Sequence, residues 1–427
     1  MGKLNIPPLR VNEADGSPDV SGVTRLVVSN GTLTDDGSGQ VTLATGAGQH
    51  TIRENGTDQT ARAGLNFVDA SAGAGLITDD AGNAETEVNL NLYLLADGAR
   101  ALTGDLDMGG NDVLNVRNYY PDPGGRLTLT SATPVLVVDA ADQTTLYYAL
   151  YKHDLVPLYD GTNWDVFRFT ELSIAMAASA NWAANSNFDC YIYNDGGTLR
   201  LVTGAAWTSD TARNESLTRL NGRWTNNASM TGRYAAASTV TVGANQGLYV
   251  GTIRTTAAAG TTTWEVGGVA ANGNPGLLYV WNAYNRVGVS VSVRDNTNTW
   301  TYQSATVRAK NNSTTNRVTY LYGLNEDDVH AEHINQGLSS TSTELLIGGI
   351  GVDVTNANNA VIFLNELSTT VAAGVFAHTS YYVGYPGLGL HFLSAVEHCT
   401  GVVAAVTVRG DAGSANIQTG FWFSGTF

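Results

Sequence analysis

The densest group of side chains able to hold a metal or move a proton is DDVHAEH, Asp327 to His333, in which His330 and His333 stand three apart with Asp327, Asp328 and Glu332 beside them. On a helix the two imidazoles would share a face and could grip a cation, whereas on a strand they would point to opposite sides. We read the segment as a surface or turn stretch linking two domains. A second group, His391, Glu397, His398 and Cys399, runs directly into an apolar strand. There a cysteine reads as a small buried residue rather than a nucleophile. Asp154, Asp160, Asp165 and Glu171 are candidates for a glycan-cleaving pair, but the separation of about 5 to 9 Å such chemistry needs is set in space, not in sequence. Asp35/Asp36 and Asp79/Asp80 lack the further oxygen donors of a calcium shell and suit Asx turns instead. No phosphate-binding glycine loop, nucleophile elbow or zincin signature occurs, so the expectation is a chain without catalytic residues, metal or cofactor.

The aromatic residues suggest adhesion. Several of the eight tryptophans sit beside turn residues, as in TNWD, GRWTNN and NTNTWTY, and a tryptophan at a loop can stack on a sugar ring. Trp164, Trp207, Trp224 and Trp300 are therefore the candidate receptor contacts, with core packing as the competing use of each. Arg200, Arg213, Arg219, Arg223 and Arg233 either meet an anionic surface or solvate an exposed sheet face. The formal charge is −16, unevenly spread: residues 1–125 carry 7 basic and 17 acidic side chains, residues 126–322 carry 14 and 12, and residues 323–427 carry 1 and 9. Such a chain repels a phosphate backbone, so nucleic acid is not an expected partner.

The elements that must position these residues are strands. With 48 glycines, only 14% charged residues and abundant Thr, Asn and Ser, the composition describes short strands and frequent turns. RVGVSVSVRD, Arg286 to Asp295, alternates Val287, Val289, Val291 and Val293 with small or polar partners, which predicts a strand with one face in a core. Turns are predicted at NDGG (Asn194), NGR (Asn221), GNPG (Gly273) and RDNTN (Arg294). ELSIAMAASANWAA would tolerate a helix, and strand is preferred there. The aromatic GFWFSGTF predicts a strand pinned into a core. Cys190 and Cys399 lie too far apart in sequence for a disulfide framework and are expected to be buried thiols of a chain made in a reducing cytosol. No signal-like leader and no run of about 18 apolar residues is present, so neither export by a cleavable signal nor membrane insertion is expected.

The N-terminal third lacks material for a core of its own. Residues 1–30 read as an extended arm, with Pro7 and Pro8 stiffening the backbone and Ile6, Leu9 and Val11 available to a neighbouring protein. GTLTDDGSGQVTL and GLITDDAGNAETEVNL form an internal repeat, each a β-hairpin with its turn at the acidic pair. In GARALTGDLDMGGNDVLNV, Leu106 and Met108 alternate with Asp105 and Asp107, while the surrounding glycines forbid a useful helix. Isolated hairpins are marginal in water, so several copies of the chain wrapped about one axis would satisfy both features, with Leu102, Leu106, Met108 and Val113 as contacts between copies.

ALTGDLDMGGNDVLNV resembles the short collar segment of tail fibre proteins from double-stranded DNA bacteriophages, and TARAGLNFVDA with GLITDDAGNAETEV resembles a fibre module of the same virion proteins. The region holding LYDGTNWDVFRFTELS, LRLVTGAAWTSDTAR, NGRWTNN and WNAYNRV is similar to a domain of phage structural proteins. The resemblance implies a mainly β, elongated homotrimeric fibre that occurs in the virion. Its parts would be an attachment arm (1–30), a repeated β-hairpin shaft (31–95), a trimeric collar and linker (96–125), a β-sandwich-like domain (126–322) and a C-terminal β domain as receptor-binding tip (323–427). Its expected partners are its own copies, another tail, baseplate or capsid protein, and a host surface glycan or protein. A capsid-bound head fibre and a glycan-degrading tailspike are the alternatives, the latter lacking the long uniform repeats it would normally carry.

Overall fold

The computed structural model describes residues 120–427 apart from 177–179, 340–345, 360–362, 365–374, 400–405 and 415–417, together with Gly37 and eight short strands between Leu9 and Val88. The chain divides into two units, Met1–Val113 and Leu114–Phe427. The fold is mainly β, and its only helical pieces among the described residues are the 3-10 turns Ala180–Trp182 and Lys310–Asn312. No helix among them is long and apolar enough to cross a bilayer.

In the first unit the described strands pair only two by two. Gly31–Asp35 pairs with Val41–Thr45, placing Leu33 opposite Leu43, and Ile77–Asp80 pairs with Glu85–Val88. Both repeats are thus hairpins; Asp35 ends the first strand of one, while in the other Asp79 and Asp80 pair with Thr86 and Glu85, so its turn follows the acidic pair rather than falling on it. A further pair, Leu9–Asn12 with Asp19–Val23, falls where an extended arm was expected; the Asp15, Gly16 and Pro18 between them are residue types that suit a reversal. Arg53–Glu54 pairs with Thr57–Asp58 across Asn55-Gly56, a hairpin dipeptide not singled out from the sequence. Ile6, Pro7, Pro8, Leu102, Leu106, Met108 and Val113 lie outside the described residues, as does the collar segment as a whole.

The second unit is built on two large sheets. In the eight-stranded one, Leu248–Arg254, Asn187–Asp195 and Thr198–Ala206 lie side by side at the centre. In the fourteen-stranded one, the order runs from Thr299–Tyr302 through Val406–Arg409, Val329–Ser339, Gly420–Thr426, Gly288–Asp295, Thr262–Ala270, Asn274–Leu278 and Arg317–Tyr322 to Gly389–Cys399. Val375–Gly384 lies along the other edge of Val329–Ser339, and Leu346–Val352 along Gly389–Cys399. Strands from either side of residue 323 are interleaved in this sheet, which corrects the expected division into separate 126–322 and 323–427 domains. The aromatic terminal strand is what stitches them: Gly420–Thr426 sits between Gly288–Asp295 and Val329–Ser339.

Local chemistry explains the elements. Gly288–Asp295 alternates strictly between exposed and buried residues, with Val289, Val291 and Val293 inside, as its period-2 pattern requires. At the hairpin turns Gly196/Gly197, Asn221/Gly222 and Asn272/Gly273, both central residues take positive φ, which Asn and Gly tolerate. Phe421, Phe423 and Phe427 are buried in a core that runs continuously from Leu127 to Phe427 and draws on both sheets. Its aromatic pairs include Tyr320 on Phe423, with ring centroids 4.9 Å apart, and Tyr322 stacked on Phe427 at 5.2 Å.

Candidate functional site: an exposed aromatic sheet face

The residues that looked chemical in the sequence are mostly committed to structure. DDVHAEH does not link two domains; it leads into Val329–Ser339, an interior strand of the large sheet. His330 is exposed and pairs with Asp328 at 3.1 Å, while His333 points the opposite way and is buried. Asp327 meets Arg286, and Glu326 bridges Arg219 and Arg286. Among the described residues no group of three or more His, Cys, Asp or Glu is placed to hold a metal.

Glu397 is fully buried, accepting hydrogen bonds from Trp300 Nε1 at 3.0 and 3.1 Å and from the Asn311 amide, with Arg308 Nη2 at 2.8 Å. Burial raises its pKa against the pull of Arg308. Cys399 is buried with its thiol aimed at the Tyr302 carbonyl, and Cys190 is buried too. The candidate carboxylates also have structural partners. Asp154 pairs with Arg168, Asp160 caps the amides of Thr162 and Asn163, and Glu171 accepts from Ser131 Oγ and the Ala132 amide. Asp165 is exposed on strand Trp164–Arg168.

The tryptophans chosen as receptor contacts require correction. Trp164 and Trp207 are buried, so neither offers a ring face to a ligand. Trp207 lies under the Arg213 guanidinium, 4.8 Å from the ring centre. Trp224 is half-buried beneath Arg219 at 4.3 Å, and Trp300 is turned inward onto Glu397. The arginine cluster is likewise largely used within the fold. Arg213 meets the buried Asp189 at 2.8 Å, Arg200 meets Asp195 at 2.7 Å, and Arg223 reaches the Tyr120 carbonyl. A turn-side tryptophan near an arginine is therefore packed under that cation, a cation–π arrangement that serves the fold.

What the structure does present is a face assembled by register rather than by sequence proximity. Ser292, Trp422, Glu332 and Tyr381 lie side by side across strands 288–295, 420–426, 329–339 and 375–384. Trp422 is 41% exposed and Tyr381 45%, while their neighbours Phe421, Phe423 and Tyr382 are buried. The next row of the same face runs Arg294, Gly420, Ile334 and Thr379, and Arg409 stands opposite Gln336 one step further. Ile334 and Val383 are also exposed. Exposed aromatic and aliphatic side chains gathered on one face of a sheet mark a candidate interaction site. The alternation in FWF and in SYYV was a usable signal for the outward Trp422 and Tyr381; their meeting on one face depends on a strand order that no local pattern encodes.

Two small recesses lie elsewhere among the described residues. A recess of about 100 Å³ is lined by Tyr159, Asp160, Phe167, Tyr193 and Gln246, among others, and another of about 10 Å³ lies beside Trp264. Both fall below the ~300 Å³ at which small-molecule pockets begin. No family model matches the chain, and neither curated proteins nor solved structures provide a match.

Proposed function

We propose that this chain is a structural and adhesive virion component, a phage tail fibre that assembles as a homotrimer. Residues 1–30 attach it to a tail or baseplate protein, the hairpins and collar of residues 31–125 form the shaft, and the β-rich second unit meets the host surface. The observation that carries this reading is the pairing of the described strands before residue 114, each with one partner only. Two-stranded units of this size are marginal alone in water and gain a core when identical copies pack together. The collar-like Leu102–Asn111 stretch, with its narrow apolar stripe, and the exposed aromatic face support the same assignment.

The test is the mass of the full-length protein in solution. Light scattering should give three times the 44.9 kDa of one chain, and the double variant Leu106→Asp, Met108→Asp should reduce it to single chains. A wild-type mass of one chain overturns the assignment, as does a double variant that stays assembled. Gold-labelled antibody against residues 323–427 on virions separates the tail from the capsid as the attachment point; label on the capsid replaces the tail fibre by a head fibre.

A further inference from the structure

The exposed face of strands 288–295, 420–426, 329–339 and 375–384 gathers arginines in an otherwise acidic stretch of the chain. Residues 323–427 contain a single basic side chain against nine acidic ones, and that residue, Arg409, stands at the edge of this face. Arg294 is exposed on it as well, its Cγ lying 3.0 Å from the point a Cβ on Gly420 would occupy, so the glycine lets the arginine lie across the strand. Neither guanidinium meets a carboxylate among the described residues, although most other arginines of the second unit do. In a molecule of net charge −16, two cations left without acids beside an exposed tryptophan form a site complementary to an anion.

The aromatic geometry defines the rest of the ligand. Trp422 and Tyr381 are separated by the single strand that carries Glu332, hence by two strand spacings, about 10 Å. Arg294 is two residues of strand rise, about 7 Å, further along the face. Flat rings at that interval suit every second pyranose of an extended sugar chain, whose apolar ring faces stack on aromatic side chains. Glu332 and the Ser292 hydroxyl lie in the same row to engage sugar hydroxyls, and the arginine fork matches a carboxylate.

We infer that this face binds an acidic polysaccharide built of carboxylate-bearing pyranoses, with Trp422 and Tyr381 stacking on sugar rings and Arg294 and Arg409 pairing with the carboxylates. The inference rests on the adhesive reading given above and supplies its ligand class. No bond is made or broken in this binding, so the site needs no catalytic group.

Affinity electrophoresis of the full-length protein tests it, with alginate in the gel as the uronic-acid polymer and dextran as the neutral one. Alginate should retard the protein and dextran should not, and added salt should weaken the retardation. Trp422→Ala should lower the alginate affinity about tenfold, as should the pair Arg294→Gln, Arg409→Gln. Trp422→Phe, which keeps a ring, should retain most of it, and an unchanged circular dichroism spectrum excludes misfolding as the cause. Equal retardation by dextran, or alginate binding indifferent to both variants, overturns the inference. So does a fall in assembled mass on Trp422→Asp, because the face would then be covered by a second copy. A trimer that ignores alginate defeats this site alone, while a retarded single chain defeats the fibre assignment alone.

Discussion

The two faces of strands 420–426, 329–339 and 375–384 carry opposite kinds of residues. Outward they carry Trp422, Glu332, Ile334 and Tyr381 toward solvent. Inward they carry Phe421, Phe423 and Ala331 at one end and a polar layer, His333 opposite Ser380 and Asn335 opposite His378, at the other. This layer is covered by strand 346–352. His333 Nδ1 donates to the Gly349 carbonyl at 2.9 Å, Ser380 Oγ donates to the Gly348 carbonyl at 2.6 Å, and the Gly348 amide donates to His378 Nε2. Only glycine fits at residue 348, since a Cβ there would lie 2.6 Å from His378 Nε2 and 2.9 Å from Asn335 Nδ2. The contrast teaches that the exposed aromatic residues outside are not a leftover of a poorly packed sheet. Polar groups have been accepted inside while aromatic ones stand outside, and for Asn335 the cost is visible, since both its buried amide atoms find no partner among the described residues.

The comparison breaks first if the inward aromatic face contributes little. Phe423 is fully buried against Tyr320, and Phe423→Ala should cost about 3–5 kcal/mol through lost burial and the cavity left behind. The urea midpoint of the second unit's transition measures this. A shift worth less than about 1 kcal/mol, the usual scale of a surface change, would mean that strand 420–426 is not held by its core side.

Acid sharpens the comparison by acting on the buried imidazoles of the inward polar layer. Burial holds His378 down at about 4, and holds His333 well below the ordinary imidazole value, with Lys310 adding repulsion to both. Lys310 is itself buried and lowered to about 8, and Glu397 is the acid on the neighbouring strand. The folded chain therefore keeps both imidazoles neutral, whereas the unfolded chain takes up protons below about pH 6.5. Unfolding is then favoured progressively as pH falls from about 6.5 toward 4, and His378 contributes a loss on the order of 3 kcal/mol across that window. Protonation at His378 Nε2 would also set a donor against the Gly348 amide, so the bond that fixes the tautomer is the one acid removes. Denaturation midpoints between pH 7 and pH 4.5 should fall steeply in the wild type and less steeply in His378→Gln. Equal slopes would show that the layer does not set the acid limit.

The sequence made individual strands legible and their neighbours illegible. Val289, Val291 and Val293 announce the buried side of strand 288–295 through alternation, and Asn-Gly or Gly-Gly pairs announce turns, because both signals are local. The break expected near residue 323 followed a change in charge balance, but charge says nothing about which strands share a sheet. Strand 420–426 inserts beside 288–295 from more than a hundred residues away. The receptor tryptophans failed for a related reason. Trp164, Trp207 and Trp224 were chosen for nearby turn residues, yet guanidinium groups, Arg213 and Arg219 among them, roof the rings. Trp422 was passed over because its aromatic neighbours suggested a wholly buried strand; of that run, only the period-2 alternation distinguishes it from Phe421 and Phe423.

The smallest expected effect completes the contrast. Trp422 follows Phe421 and precedes Phe423 on one strand, so backbone, hydrogen bonding and strand pairing are shared and only the face differs. Trp422→Ala should change stability by about 1 kcal/mol or less, since the ring already meets water over much of its surface and its removal opens no cavity. Measured beside Phe423→Ala by the same urea titration, it should leave the midpoint nearly in place. A loss as large as that of Phe423→Ala would place Trp422 within a packed contact, either under its own chain or against another copy, and the outward row would no longer be a free surface. A small loss accompanied by the fall in alginate affinity assigns to adjacent residues of one strand the separate tasks of holding the sheet together and of meeting a ligand.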